Sequence, residues 1–181
     1  MKKVLIISTS LRLHANSRSL AEEFTRGAAD AGNITEFISL SGRDIGFCVG
    51  CLACQDPEVQ HCVIEDDANQ ITEKLAKADV VAFATPIYFY EMSGQLKTLL
   101  DRFNPLFPRE YNFRDVYFLS TSADENSNSD DRAVNGLKGW IECFPKAHLA
   151  GTVHAGGVDS PGDIENHQAL ALAYKLGNSI H

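Results

Sequence analysis

Four cysteines lie within fifteen residues of a chain of 181 residues that contains only one other cysteine. They are Cys48, Cys51, Cys54 and Cys62, and their spacing is C-x2-C-x2-C-x7-C. Thiolates at such short intervals can turn toward one centre from a looping backbone, which is how proteins hold iron-sulfur clusters and structural zinc ions. The spacing therefore predicts a chain that handles electrons or a metal.

The composition is that of an ordinary globular domain. Hydrophobic residues make up 44% of the chain and charged residues 22%, close to average usage. A net charge of −8 without any run of Lys or Arg argues against nucleic acid or a membrane surface as partner. The apolar run 4–7 is shorter than the roughly 7 to 15 residues of a secretory signal. We therefore expect a cytoplasmic protein, in which clustered cysteines are ligands or redox groups rather than disulfides.

Short apolar runs alternate along the chain with segments of helical period. The pattern predicts strands at 4–7, 34–40, 79–84, 115–120 and 148–154, and helices at 17–30, 67–77, 93–103, 131–143 and 163–176. Strict alternation implies parallel strands joined by right-handed crossovers, with helices on both faces of the sheet. Because ligands of such sheets lie at the carboxyl ends of the strands, chemistry is expected in the loops that follow them.

The loop after the first predicted strand, STSLRLHANSRS, is rich in hydroxyl groups and leads into a helix. Ser10, Arg12, Asn16 and Ser17 can donate to phosphoryl oxygens, and the helix amino terminus adds partial positive charge. Helix capping alone would also favour Asn or Ser here. The G-x-G-x-x-G and Walker lysine motifs are both absent, which favours a single mononucleotide phosphate over NAD or a hydrolysed nucleotide.

Large rings follow the third predicted strand, at Tyr88, Phe89 and Tyr90, next to Pro86. Placed in a loop at the carboxyl edge of the sheet, they can flank a planar heterocycle. They can equally close the core or a subunit interface.

These motifs together resemble the flavodoxin-like NAD(P)H-dependent FMN reductases and, among them, the iron-sulfur flavoproteins. Residues 9–17 lie over the family's phosphate loop G-S-P-R-x-x-G-N-T, without its glycines and proline, and residues 86–102 match its P-x-Y loop, S-x-x-L-K helix and D-R ending. The resemblance implies one flavodoxin-like domain over residues 1–181, with a cysteine-rich loop at 45–66. Its fold would be an α/β three-layer sandwich with a five-stranded parallel sheet of order 2-1-3-4-5.

The resemblance also implies which residues hold FMN. The phosphate would lie on Ser10, Arg12, Asn16 and Ser17. The isoalloxazine ring would lie between two further groups of residues: Thr85, Pro86, Ile87, Tyr88 and Phe89 on one side, and Thr121, Ser122 and Ala123 on the other. Such relatives build the flavin pocket across subunits, which implies a homodimer or homotetramer.

The cysteine spacing falls within the compact pattern of the iron-sulfur flavoproteins, which implies that all four cysteines hold one [4Fe-4S] cluster. Zinc and metal-free thiols remain open as alternatives. The leading hypothesis is an FMN-dependent oxidoreductase that takes electrons from NAD(P)H or a ferredoxin-like donor and passes them on through FMN and the cluster. The alternatives are a cluster-free NAD(P)H-dependent FMN or quinone reductase and a non-catalytic carrier like flavodoxin.

The remaining cysteine and the six histidines show no spacing that suggests a site. Cys143 is expected to be a packed core residue or an inert thiol. The histidines are expected to be surface or packing residues without a functional role. Asp66 and Asp67 are expected to cap the helix predicted at 67–77.

Overall fold

A computed structural model describes residues 1–181 as six strands and five α-helices. The strands are β1 (Lys3–Ser8), β2 (Ile34–Ser39), β3 (Val80–Tyr88), β4 (Glu91–Met92), β5 (Asp115–Thr121) and β6 (His148–Ala155). The helices are α1 (Asn16–Asp30), α2 (Asp67–Lys77), α3 (Gly94–Arg102), α4 (Asp131–Glu142) and α5 (Gln168–Asn178). No helix combines the length and the apolar character that crossing a membrane requires.

Five parallel strands form the sheet in the order β2-β1-β3-β5-β6. Successive side chains of a strand point to opposite faces, so Leu5 and Ile7 join the core beneath α2, α3 and α4, whereas Val4 and Ile6 join the core beneath α1 and α5. The predicted α/β three-layer sandwich and its strand order are therefore confirmed, with the two-residue β4 as an addition.

Helices α1 and α5 approach each other so closely that only glycine fits at the contact. A Cβ atom on Gly27 would lie 2.1 Å from the carbonyl oxygen of Tyr174, and one on Gly177 would lie 2.1 Å from that of Phe24. Both distances are far below van der Waals contact, so the two backbones touch at these positions.

Strand β3 extends four residues beyond its predicted end at residue 84. Tyr88 and Ile87 pair with Glu91 and Met92 in a short antiparallel hairpin, and the turn residues Phe89 and Tyr90 have φ angles of 53° and 66°. The prediction that the rings lie in a loop was therefore wrong for Tyr88, which ends β3, whereas Phe89 and Tyr90 do form a turn. Antiparallel pairing with β4, which the apolar pattern does not reveal, keeps this segment extended.

Helix α5 begins at residue 168, five residues later than predicted. The preceding residues form turns, in which the Oδ2 atom of Asp163 accepts hydrogen bonds from the backbone amides of Asp159 and Ser160. The helical spacing of apolar residues does not reveal that a side chain such as that of Asp163 competes with the helix for backbone amide donors.

Candidate functional site

A cleft opens at the carboxyl edge of the sheet, where the end of β3 meets the loops after β1, β5 and β6. Ten of the twelve residues predicted to hold FMN line it: Ser10, Arg12, Asn16, Ser17, Pro86, Ile87, Tyr88, Thr121, Ser122 and Ala123. The lining is completed by Ala15, Val158, Asp159 and Pro161. The fold thus brings together segments more than 140 residues apart in the chain.

The first turn of α1 forms one end of this cleft. Ala15 occupies the N-cap position and no side chain caps the helix, so the amides of the first turn have no side-chain acceptor. The Ser17 hydroxyl is buried without a hydrogen-bond partner. Arg12, at the surface beside it, donates from Nη1 to the carbonyl oxygen of Asp159 at 2.8 Å. An unpaired hydroxyl, uncapped amides and a cation are the donors that a phosphate group needs.

The side chain of Asn16 is already engaged within the protein. Its Nδ2 atom donates to the carbonyl oxygen of Ser160 at 2.9 Å, and its Oδ1 atom accepts from the amides of Gly162 and Ile164 at 3.1 and 3.4 Å. The carboxamide therefore ties the loop after β1 to the loop after β6. This role differs from the predicted donation of the side chain to a phosphate.

The opposite end of the cleft is formed by the end of β3. Phe89 is 97% exposed and does not line the cleft. Thr85 is buried beneath the cleft, where its Oγ1 atom accepts from the backbone amide of Ser93 at 3.1 Å. These are the two predicted residues that the cleft does not include, and Thr85 instead fixes the strand just before Pro86.

A buried hydrogen-bond network, which the sequence did not predict, lies behind the loop after β5. The Ser120 hydroxyl donates to Asp130 Oδ2 at 2.6 Å and lies 2.8 Å from His154 Nδ1, while His154 Nε2 lies 3.1 Å from the Ser122 hydroxyl. Burial lowers the pKa of His154, although the Asp130 carboxylate acts in the opposite direction. Ser120 and His154 are direct neighbours only through the pairing of β5 with β6, so no signal in the sequence could have brought them together.

The four clustered cysteines line a second cavity, which shares no residue with the cleft. Cys54 and Cys62 are buried, Cys48 and Cys51 are exposed, and none of them forms a disulfide. Burial raises the pKa of Cys54, and the negative charges of the three neighbouring thiolates raise it further. Cys143 lies elsewhere and is exposed, so of its two predicted roles the packed core residue was wrong, and the inert thiol stays a prediction.

A buried ion pair forms part of the wall of the cysteine cavity. Both Nη atoms of Arg102 bond to the Asp66 carboxylate, and they also donate to the carbonyl oxygens of Gly46 and Ile64 at 2.8 and 3.1 Å. The Nε atom of Arg102 is buried without a partner. The wall therefore holds one unused N–H donor, which suits a site for anionic sulfur.

Asp66 and Asp67 have different roles at the start of α2. Asp66 caps the helix, because its side chain accepts from the amide of Ala68 at 3.0 Å. Asp67 is the first helical residue and bonds instead to Arg43 and to the amide of Asp44, each at 2.8 Å. The predicted capping role is confirmed for Asp66 and wrong for Asp67.

The cysteine cavity is not preformed around a single ion. No group of three or more His, Cys, Asp or Glu side chains lies close enough together to hold a metal ion, whereas zinc needs all its thiolates at about 2.3 Å. A [4Fe-4S] cluster places each thiolate on a different iron and so spreads the four sulfurs farther apart. The donor set fits a cluster in its chemistry, and the role of the four cysteines as ligands remains a prediction.

Comparisons with known proteins bear on both cavities. The sequence profile of the NADPH-dependent FMN reductase family matches residues 2–156. The chain belongs to this family. The chain is 40% identical to an iron-sulfur flavoprotein of Methanocaldococcus jannaschii over 98% of its own length and 95% of that protein. It is 26% identical to an iron-sulfur flavoprotein of Methanosarcina thermophila over 86% of its own length and 81% of that protein.

A solved structure shares the fold of this chain. An NAD(P)H:quinone oxidoreductase from Methanothermobacter marburgensis superimposes with a TM-score of 0.73, covering 99% of both chains at 17% identity. The flavodoxin-like fold and the family predicted from the sequence are thus confirmed, and the chain is an FMN-dependent oxidoreductase.

Proposed function

We propose that this protein binds FMN in the cleft and transfers electrons through it from a reduced donor to an acceptor. The observation that carries this proposal is the cleft itself, because candidate phosphate donors at the start of α1 and residues at the ends of β3 and β5 line one continuous space. Bound FMN would supply the redox chemistry, accepting a hydride or electrons and passing them on.

The residues of the cleft divide into two groups by role. Ser10, Arg12, Ser17 and the amides at the start of α1 would bind the phosphate. Residues 86–88 and 121–123 would hold the ring from two sides and exclude water from it. No side chain is assigned as acid or base, because hydride transfer to a flavin requires position and electrostatics alone.

NAD(P)H is the proposed donor, since the family is defined by NADPH-dependent reduction of FMN. A ferredoxin-like donor is the alternative. Mixing the oxidised protein with NADPH under anaerobic conditions distinguishes them, because only direct hydride transfer bleaches the flavin without an added carrier.

The four cysteines, Cys48, Cys51, Cys54 and Cys62, are proposed to hold a [4Fe-4S] cluster. Support comes from their common cavity, from the unused Nε–H of Arg102 in its wall, and from two relatives that are named iron-sulfur flavoproteins. A second candidate is a cluster-free NAD(P)H-dependent FMN or quinone reductase, which is favoured by the match to the NADPH-dependent FMN reductase family.

A homodimer or homotetramer is also proposed. Phe89 is 97% exposed at the tip of the β3–β4 hairpin, and Tyr88 and Tyr90 beside it are 45% and 50% exposed. Exposed rings next to a ligand cleft are typical of a surface that a second subunit covers. The compartment proposed for this assembly is the cytoplasm.

Anaerobic purification tests these proposals together. The visible spectrum before and after dithionite, released flavin, iron and acid-labile sulfide are measured on one sample. Bound FMN with about four irons per chain supports the cluster proposal. FMN without iron supports the cluster-free reductase, and no bound flavin even after FMN is added contradicts the proposed function.

A further inference from the structure

His154 lies directly behind the wall of the cleft, in the hydrogen-bond network that links β5 and β6. Its side chain is 13% exposed. Its ring nitrogens contact Ser120 on one side and Ser122 on the other, and Ser122 lines the cleft. The proposed function assigns no role to this histidine.

The Ser120 side of the network requires a proton on His154 Nδ1. A hydroxyl has one proton to donate, and an ionised carboxylate only accepts. The Ser120 proton therefore goes to Asp130 Oδ2, at 2.6 Å. Because that proton is committed, the contact of 2.8 Å between Ser120 Oγ and His154 Nδ1 is a hydrogen bond only if Nδ1 is the donor.

When His154 is neutral, the Ser122 side of the network has two acceptors but only one proton to share between them. The Ser122 hydroxyl lies 2.7 Å from the carbonyl oxygen of Asp124 and 3.1 Å from His154 Nε2. With the imidazole proton on Nδ1, both the carbonyl oxygen and Nε2 are acceptors, and one hydroxyl proton serves only one of them. A second proton, on Nε2, removes the conflict, since His154 then donates to Ser122 and Ser122 donates to Asp124.

We propose that His154 is a positioning residue of the flavin cleft, which by taking up a proton fixes the Ser122 hydroxyl on the Asp124 carbonyl and so orders the cleft wall. The inference rests on the proposed binding of FMN in this cleft. An ordered wall binds its ligand more tightly, because less conformational freedom is lost on binding.

The charged groups around His154 determine when this proton is taken up. Burial lowers its pKa below the ordinary value; Asp130 and Asp124 oppose this effect, and His167 at the start of α5 adds to it. The Asp130 Oδ2 atom lies 3.6 Å from His154 Nδ1. His154 is therefore mostly neutral near pH 7, and the wall becomes ordered as the solution is acidified.

Riboflavin binding tests the inference, because riboflavin lacks the phosphate that itself titrates in this range. Dissociation constants are measured by flavin fluorescence from about pH 8 to about pH 5.5, the range in which histidines titrate. In the wild-type protein, affinity should rise with falling pH toward a limit of about fivefold, the effect of one added hydrogen bond. His154→Gln and Ser122→Ala should each abolish this rise, whereas His148→Gln, at the other end of β6, should retain it.

Proton NMR of the His154 ring keeps the test decisive if a variant folds poorly. The ring should titrate below its ordinary pKa in wild type and still titrate in Ser122→Ala, in which only the response of the cleft is lost. A His154→Gln variant that is folded and keeps the wild-type pH profile would overturn the inference, as would a wild-type affinity that does not change with pH. Failure to bind riboflavin and FMN at every pH would instead contradict the proposed function.

Discussion

At the scale of single residues, Arg12 is the cation at the end of the cleft that is proposed to bind phosphate. Its only hydrogen bond across the cleft is to the Asp159 carbonyl, an acceptor that it can exchange for a phosphate without losing a buried partner. We expect Arg12→Ala to weaken FMN binding at least tenfold, because a charge-assisted hydrogen bond contributes about 1.5 to 3 kcal/mol. Fluorescence titration measures the change.

Riboflavin and a second variant provide the controls for Arg12. Riboflavin affinity should be nearly unchanged, since the ligand has no phosphate. Arg18→Ala removes a cation of helix α1 whose side chain pairs with Glu22 at the surface, and it should leave FMN binding unchanged. An equal loss of riboflavin and FMN affinity in Arg12→Ala would show that the loop had collapsed rather than lost a phosphate contact.

Asp66 should govern the acid stability of the protein. Its burial raises its pKa, but hydrogen bonds from Arg102 and from the amides of Gly46 and Ala68 outweigh burial, and the pKa is lowered overall. A carboxylate with a lowered folded-state pKa stabilises the protein above its unfolded-state value of about 3.9, and this stability is lost as the pH falls toward the lowered pKa.

Asp66→Asn should lower the free energy of unfolding at neutral pH by about 3 kcal/mol, because it leaves the buried Arg102 charge unpaired. Urea unfolding at neutral and acidic pH should also show a shallower acid dependence than in the wild-type protein. Asp67→Asn is the matched control, with a much smaller effect, because the Asp67–Arg43 pair is partly exposed. Equal losses in the two variants would refute the role assigned to Asp66.

The sequence could predict which residue types meet at the cleft but not which of them already have partners. Ser10, Arg12, Asn16 and Ser17 all qualified as phosphate donors by chemistry, and all four line the cleft. That the Asn16 side chain is engaged depends on residues 160–164, at the other end of the chain. His154 was missed for the same reason, because its role follows from neighbours on another strand and in the adjoining loops.

At the scale of elements, the contact between α1 and α5 depends on glycine. Gly27→Ala would place a methyl group against the Tyr174 carbonyl, where backbone must shift to make room. We expect a loss of about 1 to 3 kcal/mol in the free energy of unfolding, the usual cost of overpacking. Thermal or urea unfolding measures this loss.

Gly139→Ala is the matched control for Gly27→Ala. Gly139 is exposed within α4, and a methyl group added there would meet no neighbouring atom within 4 Å. Here alanine should stabilise the protein by about 0.5 to 1 kcal/mol, through helix propensity alone. A stabilising effect at both positions would show that α1 and α5 are less tightly packed than described.

The helical spacing of apolar residues predicted α2 with its observed bounds. A capping Asp before the helix and a buried strand after it leave little freedom in where the helix begins and ends. The extension of β3 could not be predicted, since Pro86 argues against a central strand. In the structure Pro86 pairs with Thr121 at the far end of β5, where the ladder is ending. The local apolar pattern shows neither that Pro86 lies where the ladder ends nor that residues 87–92 pair in a hairpin.

At the scale of the whole molecule, the cleft and the cysteine cavity have no residue in common. Stripping iron with a chelator and reductant should therefore leave FMN binding intact. Saturating FMN should still raise stability, by about 2.7 kcal/mol at a hundredfold excess over its dissociation constant. Thermal unfolding with and without FMN, before and after chelation, measures both effects.

Cysteine variants test whether FMN binding in the cleft is independent of the cysteine cavity. Cys62→Ser should lower the iron content without changing the FMN content, and Cys143→Ser should change neither. Loss of FMN together with iron in Cys62→Ser would show that the two cavities depend on each other.

Helix α3 is anchored by buried polar groups at both ends. Ser93, just before it, bonds to Thr85 beneath the cleft, and Arg102, its last residue, bonds to Asp66 in the wall of the cysteine cavity. Its nine residues span about 13 Å at 1.5 Å per residue. The length of α3 therefore fixes the distance between the floor of the cleft at Ser93 and the wall of the cysteine cavity at Arg102. Because one helix joins the two sites, the fold itself fixes how far electrons would travel between the proposed FMN and the proposed cluster.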